Sequence, residues 1–321
     1  VTGFDIDTGK TPTGGPSFSQ VMGDSLCALA REDVRICAIT AAMKSGTCLN
    51  KFADRYPVRF FDVGIAEEHA VTFASGLACS GMLPVFAVYS TFLQRSYDQI
   101  LNDTAIMGNH IVLAVDRAGI VPDDGETHQG CFDVPFLTTI PRVVIYSPST
   151  FAELEINLKQ ALYDRDGIAG VRYPKGGELP GAEEFMPDYK AYTHLRHPQA
   201  KTLLITYGRI FSNALTAVRA MTESGMPVSV LKLTCIWPLP EEALKLARSY
   251  ERIVFFEEGS RSGGIAQAFG EALLEQGYRG EYTVQAIDRP LPACTVSAGL
   301  RETGLDTDGM IRKLREVLHG N

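Results

Sequence analysis

The chain has 321 residues, 45% apolar and 21% charged, with 30 basic and 38 acidic side chains and a net charge of −8. That length suggests about two domains and burial of roughly three quarters of the unfolded chain's surface. The acidic balance argues against general nucleic-acid binding, which needs a basic face, but leaves room for a local basic pocket for a phosphorylated metabolite.

The cysteines are Cys27, Cys37, Cys48, Cys79, Cys131, Cys235 and Cys294. Their odd number, wide gaps and lack of a CxxC pair speak against a disulfide framework or zinc site and for a reducing cytosol. Cys79 and Cys235 stand in apolar contexts and are expected in the core. No apolar run approaches the roughly 18–20 residues that span a bilayer. The start, VTGFDIDTGK, has no signal-peptide core and no initiator Met, so a processed or truncated piece of something longer is expected.

Residues 1–16, rich in Gly, Thr, Pro and Asp, read as an extended arm. Strands and helices then alternate: helix 17–31, strand 34–40, short helix 50–56, strand 59–63, helix 66–80, strand 84–89, helix 92–106 and strand 110–115. A short helical segment over 132–137, strand 143–146, helix 149–164 (with Ser149 as its cap) and strand 169–173 complete this half. Residues 174–200 turn to Gly, Pro and charge and read as a linker with one short strand. A second pattern follows: strand 202–207, helix 211–224, strand 227–233, helix 240–249, strand 252–257, helix 262–276, strand 282–287 and helix 306–318. Alternation of this kind predicts two three-layer α/β domains with mainly parallel sheets, over 17–180 and 201–321, joined by 181–200.

Four segments at strand ends carry chemistry. The first is Asp62–Ala70, where Glu67 and Glu68 open a helix. They complement the helix dipole, worth about 0.3–1 kcal/mol. Alternatively, a carboxyl flanked by Ile65, Ala66 and Val71 is desolvated, with a raised pKa, and acts as a neutral hydrogen-bond donor. The second is Tyr89–Arg95, where Phe92 is either core or a stacking platform for a flat heterocycle, and Arg95 faces an anionic substrate. The third is the loop DRAGIVPDDGETHQGCFD, residues 116–133, directly after an apolar strand. Asp124 and His128 there suggest an acid/base or hydrogen-bonding pair, with a metal site or a solvated turn as the alternatives. The fourth is Val171–Gly176, where Arg172 and Lys175 suit a phosphate or carboxylate, or simply end a basic strand.

Two motifs carry less. Gly23-Asp24-Ser25 resembles a hydrolase nucleophile turn but lies within a helical pattern, so Ser25 is expected to be structural. Gly259–Gly264 opens a helix and offers weak evidence for anion binding at its N-terminus.

In this order, FDVGIAEEHAVTFASGLA, YSTFLQRSYDQI, DRAGIVPDDGETHQGCFD, IPRVVIYSPS and VRYPKG resemble the 1-deoxy-D-xylulose-5-phosphate synthase family, thiamine-diphosphate enzymes of the transketolase superfamily. The likeness runs through most of residues 17–176 and continues through TYGRI, IWPLP, EEGSRSGG and IDRPLP. Ordinary transketolases share a DGxTHQ-type loop but are not expected to show YSTFLQR or DRAGIV. The β subunits of 2-oxo-acid dehydrogenases share the fold and the catalytic Glu but not this loop.

The resemblance implies a pyrimidine-binding domain over 17–180 and a transketolase C-terminal domain over 201–321. It implies decarboxylation of pyruvate and transfer of its two-carbon unit to glyceraldehyde 3-phosphate, a step that feeds isoprenoid, thiamine and pyridoxal pathways. Glu67 would hydrogen-bond the aminopyrimidine N1′ of thiamine diphosphate, Phe92 would stack on that ring, and Ile65 would join them in binding the cofactor. Arg117 and Arg172 would hold the aldehyde's phosphate, with Tyr89 and Arg95 nearby. Asp124 and His128 would contact substrate and intermediate and steer proton transfer, making Glu67, Asp124 and His128 the catalytic set.

The family grips the diphosphate through Mg²⁺ on an N-terminal domain with a GDG-then-Asn motif, and the chain has no GDG. The chain is therefore expected to lack that domain, to hold no metal ligands of its own and to be inactive alone. The alternative is a split transketolase-like or dehydrogenase-β-type subunit that needs a separate diphosphate-binding chain. The family also implies a homodimer in the full-length form, in the cytoplasm or the plastid stroma.

Overall fold

A computed structural model describes residues 15–319 apart from 123 and 183. Most of the expected N-terminal arm lies outside the described residues.

The first half contains α1 (Phe18–Glu32), β1 (Ile36–Thr40), α2 (Asn50–Arg55), β2 (Phe60–Asp62), α3 (Glu67–Cys79) and β3 (Leu83–Tyr89). It continues with α4 (Ser90–Leu93), α5 (Tyr97–Gln99), β4 (Ile111–Asp116), α6 (Asp133–Leu137), β5 (Val143–Tyr146), α7 (Phe151–Tyr163) and β6 (Ile168–Arg172). Strands β1 to β6 form one parallel sheet in the order β5-β6-β4-β3-β1-β2. Central strands such as β1 and β4 are buried at every position, which is why they read as unbroken apolar runs. Successive side chains point to opposite faces. Val85 and Ala87 pack with Phe18, Met22, Leu154 and Leu158 of α1 and α7, whereas Phe86 and Val88 pack with Ala70, Val71 and Ala74 of α3.

The second half contains β7 (Tyr192–Leu195), β8 (Thr202–Tyr207), α8 (Phe211–Glu223), β9 (Val228–Leu233), β10 (Cys235–Trp237), α9 (Glu241–Ala247) and β11 (Arg252–Ser260). Helix α10 (Ile265–Glu275), β12 (Glu281–Ile287), α11 (Val296–Thr303) and α12 (Thr307–His319) follow. Its sheet runs β12-β11-β8-β9-β7, parallel except for β7, the short strand expected in the linker. Strand β10 leaves this sheet and pairs antiparallel with β5 at the edge of the first.

The differences from the sequence reading have local causes. The segment expected as one helix over 92–106 is α4, a 3₁₀ turn, α5 and a π turn over Ile100–Ile106. The π turn brings the Asp103 carboxylate and carbonyl to the hydroxyls of Thr72 and Ser75, a long-range contact with no apolar signature. Thr150, not Ser149, caps α7, and Glu153 reaches back to the Ser149 amide at 2.7 Å. Cys79 ends α3 exposed, so only Cys235 of that pair is buried. Strand β10 and helix α11 are short and were not expected. No helix among the described residues is long and apolar enough to cross a membrane.

Candidate functional site

In the first sheet β1 lies between β2 and β3, so the chain reverses its direction of travel across the sheet there. A crevice opens outside the carboxyl ends of parallel strands at such a switch point. Strands β2, β3, β4 and β6 each release one of the four segments at that end.

After β2, the Asp62 carboxylate accepts from Ala42 N at 2.8 Å and Gly64 N at 3.1 Å and ties down the turn. Gly64 takes φ +72, a left-handed conformation with no neighbour near a Cβ position. Ile65 stands out at 80% exposure, and Glu67 turns inward at 2%. The Arg95 guanidinium meets both Glu67 carboxylate oxygens, at 3.1 and 3.3 Å, and sits 5.1 Å from the centre of the Phe92 ring. A planar cation thus spans a buried carboxylate and an aromatic face. Glu67, expected either to complement the helix dipole or to be a desolvated acid, and Arg95, expected to face an anionic substrate, are paired with each other.

Phe92 is half-buried. Tyr89 lies nearly parallel to it at 5.8 Å and His128 edge-on at 5.4 Å. The Arg117 guanidinium covers Tyr89 at 3.6 Å and donates to Asp116 Oδ1 at 3.0 Å and Gly46 O at 3.1 Å. A Cβ at Gly46 would fall 1.6 Å from the Tyr89 hydroxyl, so a larger residue there must displace the Tyr89 ring. Burial pushes the Tyr89 phenol up. Burial also pushes the Asp116 carboxyl up to about 6, against the opposing pull of Arg117.

Asp124 pairs with Lys175 Nζ at 2.6 Å. Burial opposes its ionisation, but the Lys175 ammonium outweighs that and holds it below the usual carboxylate range. His128 Nδ1 shares a 3.1 Å hydrogen bond with Thr127 Oγ1, and Thr91 Oγ1 donates to Thr127 O at 2.8 Å, joining the β3 and β4 loops. The Asp124 and His128 side chains therefore have separate partners. Lys175, expected to bind an anion or simply to end a basic strand, is the partner of Asp124.

Arg172 does not join the open wall. It is 4% exposed, binds Asp133 at 2.8 and 3.2 Å, and lies 5.6 Å from the Tyr207 ring of the second sheet. In this arrangement its guanidinium neutralises Asp133 instead of facing a phosphate. The Gly259–Gly264 turn is likewise closed to anions. Glu257 already accepts from Ile265 N at 2.9 Å and Ala266 N at 2.8 Å at the start of α10, and from the Tyr207 hydroxyl at 2.6 Å. Sequence reasoning missed Arg209 and Glu258, which reach the loop after β4 from far along the chain.

Glu67 and Phe92 present a buried carboxyl and a ring face, both covered by the Arg95 guanidinium, so a flat heterocycle with a polar edge fits between them only once Arg95 turns away. Among the described residues no group of three His, Cys, Asp or Glu could hold a metal ion.

Two family descriptions match: transketolase, pyrimidine binding domain, over residues 15–177, and transketolase, C-terminal domain, over residues 191–306. The chain belongs to the transketolase family. It is similar to the 1-deoxy-D-xylulose-5-phosphate synthases of Chlorobaculum tepidum (40% identity over 98% of this chain and 51% of that protein) and Symbiobacterium thermophilum (45% over 85% and 42%). The chain thus spans about half the length of the curated relatives it matches. Among solved structures, a split gene transketolase described as an inactive β4 tetramer superimposes with a TM-score of 0.83 at 23% identity, over 95% of this chain and 99% of that one. Transketolase from Leishmania mexicana gives 0.77 at 15% identity, over 96% of this chain and 46% of that one. At those identities the two structures speak for the fold alone.

Proposed function

We propose that this transketolase-family chain forms the pyrimidine-facing wall of a thiamine-diphosphate site. The assembled enzyme would transfer the two-carbon unit of pyruvate, with decarboxylation, to glyceraldehyde 3-phosphate, giving 1-deoxy-D-xylulose 5-phosphate. One observation carries this reading: the buried Glu67 carboxylate and the Phe92 ring, bridged by Arg95 beyond the carboxyl ends of β2 and β3. The 40–45% identity to synthases of that name supports the choice of reaction.

Bound thiamine diphosphate supplies the carbon nucleophile and electron sink that decarboxylation needs. Glu67 would hold a proton at the pyrimidine N1′, and Phe92 and Ile65 would supply apolar surface for the ring. For this, Arg95 leaves the slot between Glu67 and Phe92 and turns its guanidinium to the pyruvate carboxylate. Tyr89 and Arg117 receive the aldehyde's phosphate, while Arg172 acts from behind the wall by fixing Asp133. His128, edge-on to Phe92, and Asp124, paired with Lys175, contact the substrate and steer proton transfer.

The Mg²⁺ and diphosphate belong to a separate part of the enzyme, two copies of which pair in the assembled form. The 321-residue chain alone is then inactive. A second reading, a natural subunit that pairs with a diphosphate-binding chain, draws on the fold shared with the split gene transketolase.

The test is product formation from pyruvate and glyceraldehyde 3-phosphate, with Mg²⁺ and cofactor. It compares the chain alone, the chain with the diphosphate-binding half of a relative, and the Glu67→Gln variant of that mixture. Turnover only in the unsubstituted mixture is expected. Robust turnover by the chain alone would overturn the division of labour, and preference for a ketose phosphate over pyruvate would overturn the reaction.

A further inference from the structure

The loop after β4, which carries Asp124 and His128, closes at its neck. Gly119 and Gly130 exchange two backbone hydrogen bonds, at 2.7 and 2.9 Å, and Gln129 clasps both peptide groups of Val121, at 2.9 and 3.2 Å. The neck does not rest on its own sheet alone. Glu258 Oε1, at the end of β11, accepts from Ile120 N at 2.7 Å, and Arg209 Nη2, between β8 and α8, donates to Ile120 O at 2.6 Å. Arg209 and Glu258 also bind each other, with Nε to Oε2 at 3.0 Å. Both are buried, as are Ile120 and Cys131.

The Ile120 and Cys131 side chains belong to the apolar core of the second half, with Leu204, Phe211, Leu291 and Leu300. The carbonyl of Cys131 accepts from Ser260 N at 2.9 Å. A Cβ on Gly119 would fall 2.5 Å from Glu258 Oε1, so glycine there admits the carboxylate. Arg209 Nη1 also reaches the carbonyl of Lys175, the residue paired with Asp124, at 3.4 Å.

We infer that Arg209 and Glu258 are positioning residues, through which the second half sets where Asp124 and His128 stand. The inference rests on the proposed function for its catalytic consequence but not for its geometry. A carboxylate and a guanidinium that hold the two polar groups of one residue fix its peptide planes, because each hydrogen bond is directional and charge-assisted. Ile120 lies four residues before Asp124 and eight before His128. A shift at the neck is therefore carried out to the tip, where a misplacement of about 1 Å costs as much as 100-fold in rate.

The test uses hydrogen exchange on the 321-residue chain, comparing peptides over 117–132 with core peptides over 111–116 and 202–207. Glu258→Gln keeps the shape and loses the charge; Arg209→Lys keeps the charge and loses the fork. Each is expected to raise exchange over 117–132 by about tenfold, with the core peptides unchanged. In the mixture with a diphosphate-binding half, each should lower kcat for product at least tenfold, with cofactor affinity unchanged.

Unchanged exchange over 117–132 in both variants overturns the inference. So does exchange that rises equally in loop and core, which marks a merely structural ion pair. If one variant does not fold, the other decides. Should the unsubstituted mixture show no synthase activity while loop exchange still rises in the variants, the proposed reaction fails and the clamp stands.

Discussion

Asp116 ends β4 beneath the candidate site, fully buried, with Arg117 as its ion-pair partner. Burial pushes its carboxyl from an ordinary 3.8 up to about 6. Between about pH 4 and pH 6 the folded chain therefore keeps a proton that the unfolded chain has released. When the native state binds more protons, stability falls as pH rises, so the loss accumulates through that window and levels off above the folded value. A gap of roughly two pH units amounts to ~3 kcal/mol. Asp116→Asn keeps the shape and removes the titration. Its stability relative to the parent should grow by ~3 kcal/mol between about pH 4 and pH 7. With a urea slope of ~3 kcal/mol per molar, the midpoint advantage should widen by about 1 M. Urea melts of both proteins across that range measure it. Parallel pH profiles, with a constant offset between parent and variant, would show that Asp116 does not titrate as its burial demands.

Two further substitutions test other parts of the molecule. Lys232 of β9 and Glu153 of α7 form a fully buried ion pair between the halves, with Thr234 as a second partner of each. Lys232→Met alone should cost about 3–5 kcal/mol in a denaturant melt by stranding Glu153, and Lys232→Met with Glu153→Leu should recover most of it. Arg95, 47% exposed, forms a half-open pair with Glu67 worth about 1 kcal/mol. In the enzyme reconstituted with a diphosphate-binding half, Arg95→Ala should tighten cofactor binding about fivefold by calorimetry while lowering turnover of pyruvate. Weaker cofactor binding instead would mean that Arg95 supports the pyrimidine rather than competing with it.

Much of the fold is legible in the chain because its strands are short apolar runs buried on both faces, such as Ile111–Asp116, separated by amphipathic helices. The candidate site is legible only in its placement: Glu67 and Phe92 stand just after β2 and β3, whereas Asp124 and His128 lie well along the loop after β4. What sequence cannot carry is pairing over distance. Arg95 lies 28 residues from Glu67 and Arg172 39 residues from Asp133, and neither pairing has a local pattern. The four pieces over Ser90–Ile106 escape for the same reason, since the π turn is stabilised by Thr72 and Ser75 on another helix. Glu257 illustrates the converse. The turn after it carries a weak sequence sign of anion binding, and the carboxylate that occupies it belongs to the preceding strand.

Strand β10 has a consequence for how such chains can be taken apart. Its three residues come from the second half yet seal the edge of the first sheet, and a single apolar core runs from Phe86 to Phe255 and Phe269. A cut in the segment before Tyr192 would leave β5 with a bare edge, open to pairing with another chain. The two halves should therefore melt in one transition, not two. A chimaera that exchanges the second half for a relative's must bring a matching Cys235–Trp237 segment with it, so the two sheets are constrained to be inherited together.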